Sequence, residues 1–218
     1  PYTTLFRSSD SPLGPFIDKG CLIDSKVIGV QNSIDQFFYE DNGKKYMFWG
    51  SFRGIYATEL TDNGLEIKKK TDGTPVLKKR ICGNRFEGTN IYKRGEYYYL
   101  FASIGTCCNG ATSTYQTVVG RSKNVLGPYL DKTGRDMLYD YCEIIMSGNE
   151  TWAGPGHNSI LIQDDVGTDW IIYHGYKKKE AENGRYVLMD KLIWSNDGWP
   201  SVKSNAPSIL EVAPYFQK

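Results

Sequence analysis

Short apolar runs broken by turn residues recur along the whole chain, and no stretch carries the apolar period of an amphipathic helix. Phe37-Phe38-Tyr39 leads through Asp41-Asn42-Gly43 into Tyr46-Met47-Phe48-Trp49. Asn-Gly between aromatic and aliphatic runs is a strong hairpin signal, because both turn positions take positive φ. The same unit returns as Asn90-Ile91-Tyr92, Lys93-Arg94-Gly95 and Tyr97-Tyr98-Tyr99-Leu100-Phe101. A third copy runs from Ile160-Leu161-Ile162 through Asp164-Asp165-Val166-Gly167 into Trp170-Ile171-Ile172-Tyr173. Strand-like segments follow the hairpins, such as Gly54–Leu60 and Thr117–Arg121. A second repeat pairs Leu13-Gly14-Pro15-Phe16 with Leu126-Gly127-Pro128-Tyr129, each followed two residues later by Asp-Lys.

Units of roughly 50 to 70 residues, each with three or four short strands, predict an all-β fold of β-propeller blades. A β-sandwich with similar hairpins is the alternative. One ionisable residue precedes each hairpin: Asp35 before Gly43, Glu87 before Gly95 and His157 before Gly167. The first two spacings are equal. In a propeller the first strand of each blade lines the central channel, so equivalent residues converge on one pocket. Two facing carboxylates suit glycoside hydrolysis, in which one protonates the leaving oxygen and another activates water, about 6.5 to 9.5 Å apart in inverting enzymes. The bland alternative is that Asp35 and Glu87 end strands and His157 sits at a turn.

Composition narrows the partner rather than the fold. Lys plus Arg total 26 against 25 Asp plus Glu, so no net field favours nucleic acid or an anionic membrane surface. Aromatics make up 14% of the chain, enough for stacked sheets or a sugar-binding surface. Five cysteines without metal-ligand spacing predict neither a zinc site nor a disulfide framework, and Cys107-Cys108 reads as two free thiols in a loop, with a strained vicinal disulfide as the alternative. Lys68-Lys69-Lys70 and Lys177-Lys178-Lys179 read as solvated loop faces. Residues 1–8 resemble a translated sequencing adapter, so they are set aside as a non-native tail and 9–218 are taken as the domain.

Several segments in order resemble glycoside hydrolase family 43, and more narrowly its arabinan-cleaving endo-1,5-α-L-arabinosidase branch. They are Ser33-Ile34-Asp35-Gln36-Phe37-Phe38, Tyr46–Phe52, Phe86-Glu87-Gly88-Thr89-Asn90, Cys107–Tyr115, Val119–Lys123, Gly154–Ser159, Thr168-Asp169-Trp170 and Trp194 with Asp197–Pro200. The resemblance implies a five-bladed β-propeller, about three blades of it present, and inverting hydrolysis of α-L-arabinofuranosyl linkages. It implies Glu87 as general acid, Asp35 as the carboxylate that modulates its pKa, and Asn32, Ser51 and Phe52 lining the sugar subsite. His157 resembles the family's axial histidine, which helps hold a hydrated metal ion, commonly calcium; no organic cofactor is implied. Gln36 and Thr89 depart from the family pattern, which leaves the exact substrate open.

The family's general base, an Asp on the first blade, has no match before Asp35. Asp10 and Asp18 fall in the Leu-Gly-Pro repeat, so the expectation is an N-terminally truncated fragment, inactive alone and lacking roughly 100 to 140 residues at the observed repeat spacing. The expected partner is an arabinan- or arabinoxylan-type polysaccharide or oligosaccharide, met by a secreted or periplasmic enzyme that is monomeric at full length. An exo-acting α-L-arabinofuranosidase or β-xylosidase and a non-catalytic sugar-binding propeller are the competing readings.

Overall fold

The computed structural model describes residues 3–217, with side chains from Arg7 onward. It is all-β, its helices confined to single turns. Strands β1 (Thr3–Ser8) and β2 (Ile17–Asp24) pair antiparallel, so the segment left out of the sequence reading of the fold is here a strand. A one-turn helix, Ser25–Ile28, follows; Asp24 accepts from the amides of Lys26 and Val27, and Gly29 at φ 66° ends it.

Three antiparallel sheets follow in chain order. The first joins β3 (Phe37–Asp41), β4 (Lys44–Trp49), β5 (Ile55–Glu59) and β6 (Lys79–Cys82) as a simple meander. Asn42 and Gly43 take φ 49° and 75°, the paired positive values that a two-residue turn between twisted strands requires. The second joins β7 (Glu87–Arg94), β8 (Tyr97–Ile104), β9 (Gln116–Ser122) and β10 (Glu143–Met146) in the same order. The third is built on β13 (Asp169–Lys177), with β14 (Arg185–Lys191) along one edge. Along the other edge lie β11 (Trp152–Gly156) and then β12 (Ile162–Gln163). A short pair, β15 (Ile193–Trp194) and β16 (Pro200–Ser201), completes the strands.

The aromatic runs are explained by burial on both faces of a strand. Tyr98, Leu100 and Ala102 of β8 enter the core shared with the first sheet, while alternate residues Tyr99 and Phe101 enter the core shared with the third. In β4, Tyr46 and Phe48 face that first core, and Met47 and Trp49 face a separate one with Ile23, Val30 and Leu60. The sheets therefore stack face to face with an apolar layer between the first and second and another between the second and third, and continuous rather than alternating apolar runs are the result.

Two sequence expectations need correction. The third hairpin's first strand is broken: only Ile162 and Gln163 pair in β12, and β11 supplies the earlier part. The repeat position of His157 also differs from that of Glu87. Both first strands carry a bulge at a left-handed glycine, Gly88 at φ 64° and Gly154 at φ 61°. The residue before the bulge glycine is Glu87 in one and Ala153 in the other, so His157 lies four residues beyond the equivalent point, where the strand breaks. The Leu-Gly-Pro repeat is real in three dimensions: Gly14 and Gly127 take φ 85° and 76°, and each packs against the aromatic two residues on.

Candidate active site

Asp35, placed just ahead of β3, and His157, placed just after β11, line one cavity together with Gly88, Thr89, Asn90 and Asn158. The second and third sheets thus meet the first where sequence spacing placed the candidate chemistry. The Gly88 amide donates to Oδ2 of Asp35 at 3.3 Å. A side chain at Gly88 would begin 3.1 Å from the His157 ring, so glycine there permits the close approach of two sheets.

Four candidate residues sit in the left-handed region: Asn32 and Asp35 at φ 56°, Phe52 at 49° and His157 at 50°. Non-glycine residues hold such values only where surroundings fix them, at a penalty of about 1–3 kcal/mol each, and such strain gathers at functional sites. The fixing bonds cross between loops and sheets. Asn32 Nδ2 donates to the Ser51 carbonyl at 2.8 Å, and the Gly50 amide to the Ile34 carbonyl at 2.9 Å. Phe52 N–H donates to the Phe86 carbonyl at 2.9 Å, and His157 N–H to Ser103 Oγ at 2.7 Å.

Glu87 opens β7 and is buried beneath this cavity rather than lining it. Ser51 Oγ donates to its Oε2 at 2.7 Å, and the Tyr115 hydroxyl donates to Oε1. Burial, reinforced by the Glu87 charge, holds the Tyr115 phenol far above its ordinary range, so it stays a donor. Asp35 is raised from its ordinary value chiefly by burial; the His157 charge opposes this, the Glu87 charge adds to it, and the Gly88 amide opposes it. Ser51, expected at a sugar subsite, holds Glu87, and Asn32 secures the Ser51 backbone. Asp10 and Asp18 are exposed, and Asp35 is the one carboxylate among the described residues lining the cavity.

His174 was not anticipated. Its ring stacks on Tyr115 at 5.8 Å with 11° between planes, and it lies 6.3 Å from His157. Burial, with the Arg185 and His157 charges, lowers its pKa to about 4, so it is neutral near pH 7. The available signal was that the chain has only two histidines and the second lies on a strongly apolar strand.

Cys107 and Cys108 are joined as a disulfide, which corrects the free-thiol expectation. The loop folds back on itself there, Asn109 N–H donating to Ser113 Oγ at 2.9 Å and that hydroxyl to the Cys107 carbonyl at 3.3 Å. Adjacency in sequence could not report that closure. Cys21, Cys82 and Cys142 are free.

No group of three or more His, Cys, Asp or Glu side chains able to hold a metal occurs among the described residues. Three residues that line the cavity with His157 carry buried oxygens without protein partners, Thr89 Oγ1, Asn90 Oδ1 and Asn158 Oδ1. Neutral oxygens and one imidazole fit a hydrated cation held partly through water, not a site of direct carboxylate ligands.

Residues 4–200 match the family described as Glycosyl hydrolases family 43. The chain belongs to this family. Its curated relatives include the extracellular exo-α-(1→5)-L-arabinofuranosidase ArbA of Cellvibrio japonicus, 36% identical over 197 residues, which are 85% of this chain and 56% of that protein. The extracellular endo-α-(1→5)-L-arabinanase 1 of Bacillus subtilis is 34% identical over 90% of this chain and 59% of its own length. Among solved structures, the Cellvibrio cellulosa α-L-arabinanase complexed with arabinohexaose superposes with a TM-score of 0.75 at 32% identity, over 92% of this chain and 67% of that one. The exo-1,5-α-L-arabinanase from a bovine ruminal metagenomic library gives 0.74 at 33% identity, over 91% of this chain and 67% of its own. This family 43 chain spans less than two thirds of the length of these curated relatives.

Proposed function

We propose that this chain is part of an inverting, arabinan-cleaving glycosidase built as a five-bladed β-propeller, with Glu87 as general acid and Asp35 as its pKa modulator. The observation that carries the reading is the Glu87–Gly88–Asp35 arrangement, in which one strand start places two carboxylates within electrostatic reach beside a cavity. Relatives and structural neighbours named for arabinan supply the substrate class.

In this reading the glycosidic oxygen takes a proton from Glu87 as the C1–O bond breaks, and water attacks C1 from the opposite face. Tyr115 keeps donating to Oε1. Ser51 turns its hydroxyl away from Oε2, which then carries the transferable proton. Asp35 and Glu87 interact as like charges across the Gly88 contact. The water needs a third carboxylate as base, and with Asp35 already assigned, that base is sought outside these 218 residues. A calcium ion would be held by His157 with Asn90 and Asn158 and would supply fixed positive charge beside Asp35. Relatives named extracellular support a secreted enzyme.

A second reading is sugar binding without turnover, favoured by one observation: both Glu87 oxygens are engaged by protein hydroxyls. Incubating the 218-residue protein with linear arabinan tests the scheme. Binding without sustained release of arabino-oligosaccharides is expected, because the base is missing; sustained release contradicts the assignment of the base.

A further inference from the structure

The strand order places three loops on one face. Glu87 at the start of β7 pairs with Ser103 at the end of β8, Phe37 with Phe48 at the end of β4, and Trp152 with Lys177 at the end of β13. The segments leaving β4, β8 and β13 therefore all rise from the side on which Asp35 and Glu87 lie. They are Gly50–Gly54, Gly105–Tyr115 and the segment beginning at Lys178.

The middle loop differs from the others in chemistry. Its 11 residues, Gly-Thr-Cys-Cys-Asn-Gly-Ala-Thr-Ser-Thr-Tyr, contain no Lys, Arg, Asp, Glu or His, in a chain that is 23% charged. Arg53 is exposed in the first loop, and Lys178, Lys179 and Glu182 in the third. Thr106, Cys108, Asn109 and Thr112 are exposed in the middle loop, offering hydroxyls, an amide and an apolar disulfide side by side. Such a surface matches a neutral sugar, whose ring has an apolar face and whose edge carries hydroxyls.

The loop is also preorganised. Thr106 N–H donates to Thr114 Oγ1 at 3.1 Å, the Asn109 and Ser113 bonds close its tip, and the covalent bridge fixes the two cysteines. Gly110 lies against Ala181, so the second and third loops form one continuous wall. At its far end Tyr115 touches Glu87 itself. A rigid surface loses little entropy when it binds.

We propose that the Gly105–Tyr115 loop, with its Cys107–Cys108 bridge, forms a distal subsite that takes a neutral furanosyl unit of the substrate chain beyond the units flanking the cleaved bond. This rests on the arabinan reading above. The subsite is a specificity element: it contacts only substrates long enough to reach the wall.

The test is titration of the 218-residue protein with arabinotriose and with arabinohexaose, followed by NMR or calorimetry. The hexaose is expected to bind more tightly. Cys107→Ser/Cys108→Ser and, separately, Asn109→Ala are expected to weaken hexaose binding about fivefold, the worth of one net hydrogen bond, and to leave the triose unchanged. Wild-type hexaose affinity in both variants overturns the subsite while the arabinan reading stands. Equal loss for both sugars also overturns it, since that marks a general structural role. No binding of either sugar by the parent protein overturns the arabinan reading and the subsite together.

Discussion

The amide of Gly88 donates to Oδ2 of Asp35 at 3.3 Å, tying the strand that begins at Glu87 to a carboxylate 53 positions away from Gly88 in sequence. Glycine is required at this junction for two separate reasons, its φ of 64° and the His157 ring 3.1 Å from where a Cβ would stand. Gly88→Ala is therefore expected to lower stability by about 1–3 kcal/mol, as backbone strain and displacement of His157 combine. Urea unfolding of the two proteins checks this, and an unchanged midpoint would speak against the close approach.

Asp35 should lower stability at neutral pH. Its carboxyl titrates above the ordinary 3.8, mainly because of burial, so the folded state holds the proton more tightly than the unfolded chain. Stability is highest with the proton on and falls as pH rises through the raised value. Asp35→Asn should raise the melting temperature at pH 7, and the gain should shrink toward zero as pH drops to 3.8. Thermal melts across that range provide the check.

Much of the scaffold was legible because it rests on local chemistry. Asn42-Gly43 demanded its turn, and Tyr97–Phe101 was apolar on both faces because two cores claim alternate residues. The equal offsets of Asp35 and Glu87 from their turn glycines placed both carboxylates at strand starts. The clamp on Glu87 was not legible: Ser51 and Tyr115 lie 36 and 28 residues away, and only sheet stacking brings them in. His157 was misplaced within the repeat because the break between β11 and β12 adds residues that no spacing rule anticipates. His174 and the Cys107–Cys108 bridge depend likewise on how a strand and a loop pack.

His174 sets a different acid limit on stability. Its pKa falls from an ordinary 6.5 to about 4, so between those values the unfolded chain takes up a proton that the folded one refuses. Stability should decline as pH falls from 6.5 to 4. His174→Phe keeps an aromatic ring against Tyr115 and removes the titration. Denaturation at several pH values should show a flatter acid slope for the variant, and an identical slope would contradict the neutral, buried assignment.

Turnover of linear arabinan reports on Glu87 as the acid. The comparison is wild type against Glu87→Gln in protein extended to the length of its curated relatives. The amide keeps the shape and hydrogen-bonding capacity but cannot give up a proton to the leaving oxygen. A fall in kcat of about 10²–10⁴, the usual contribution of general acid catalysis, with arabino-oligosaccharide binding retained, is the expected result. Unchanged turnover in Glu87→Gln would contradict the account.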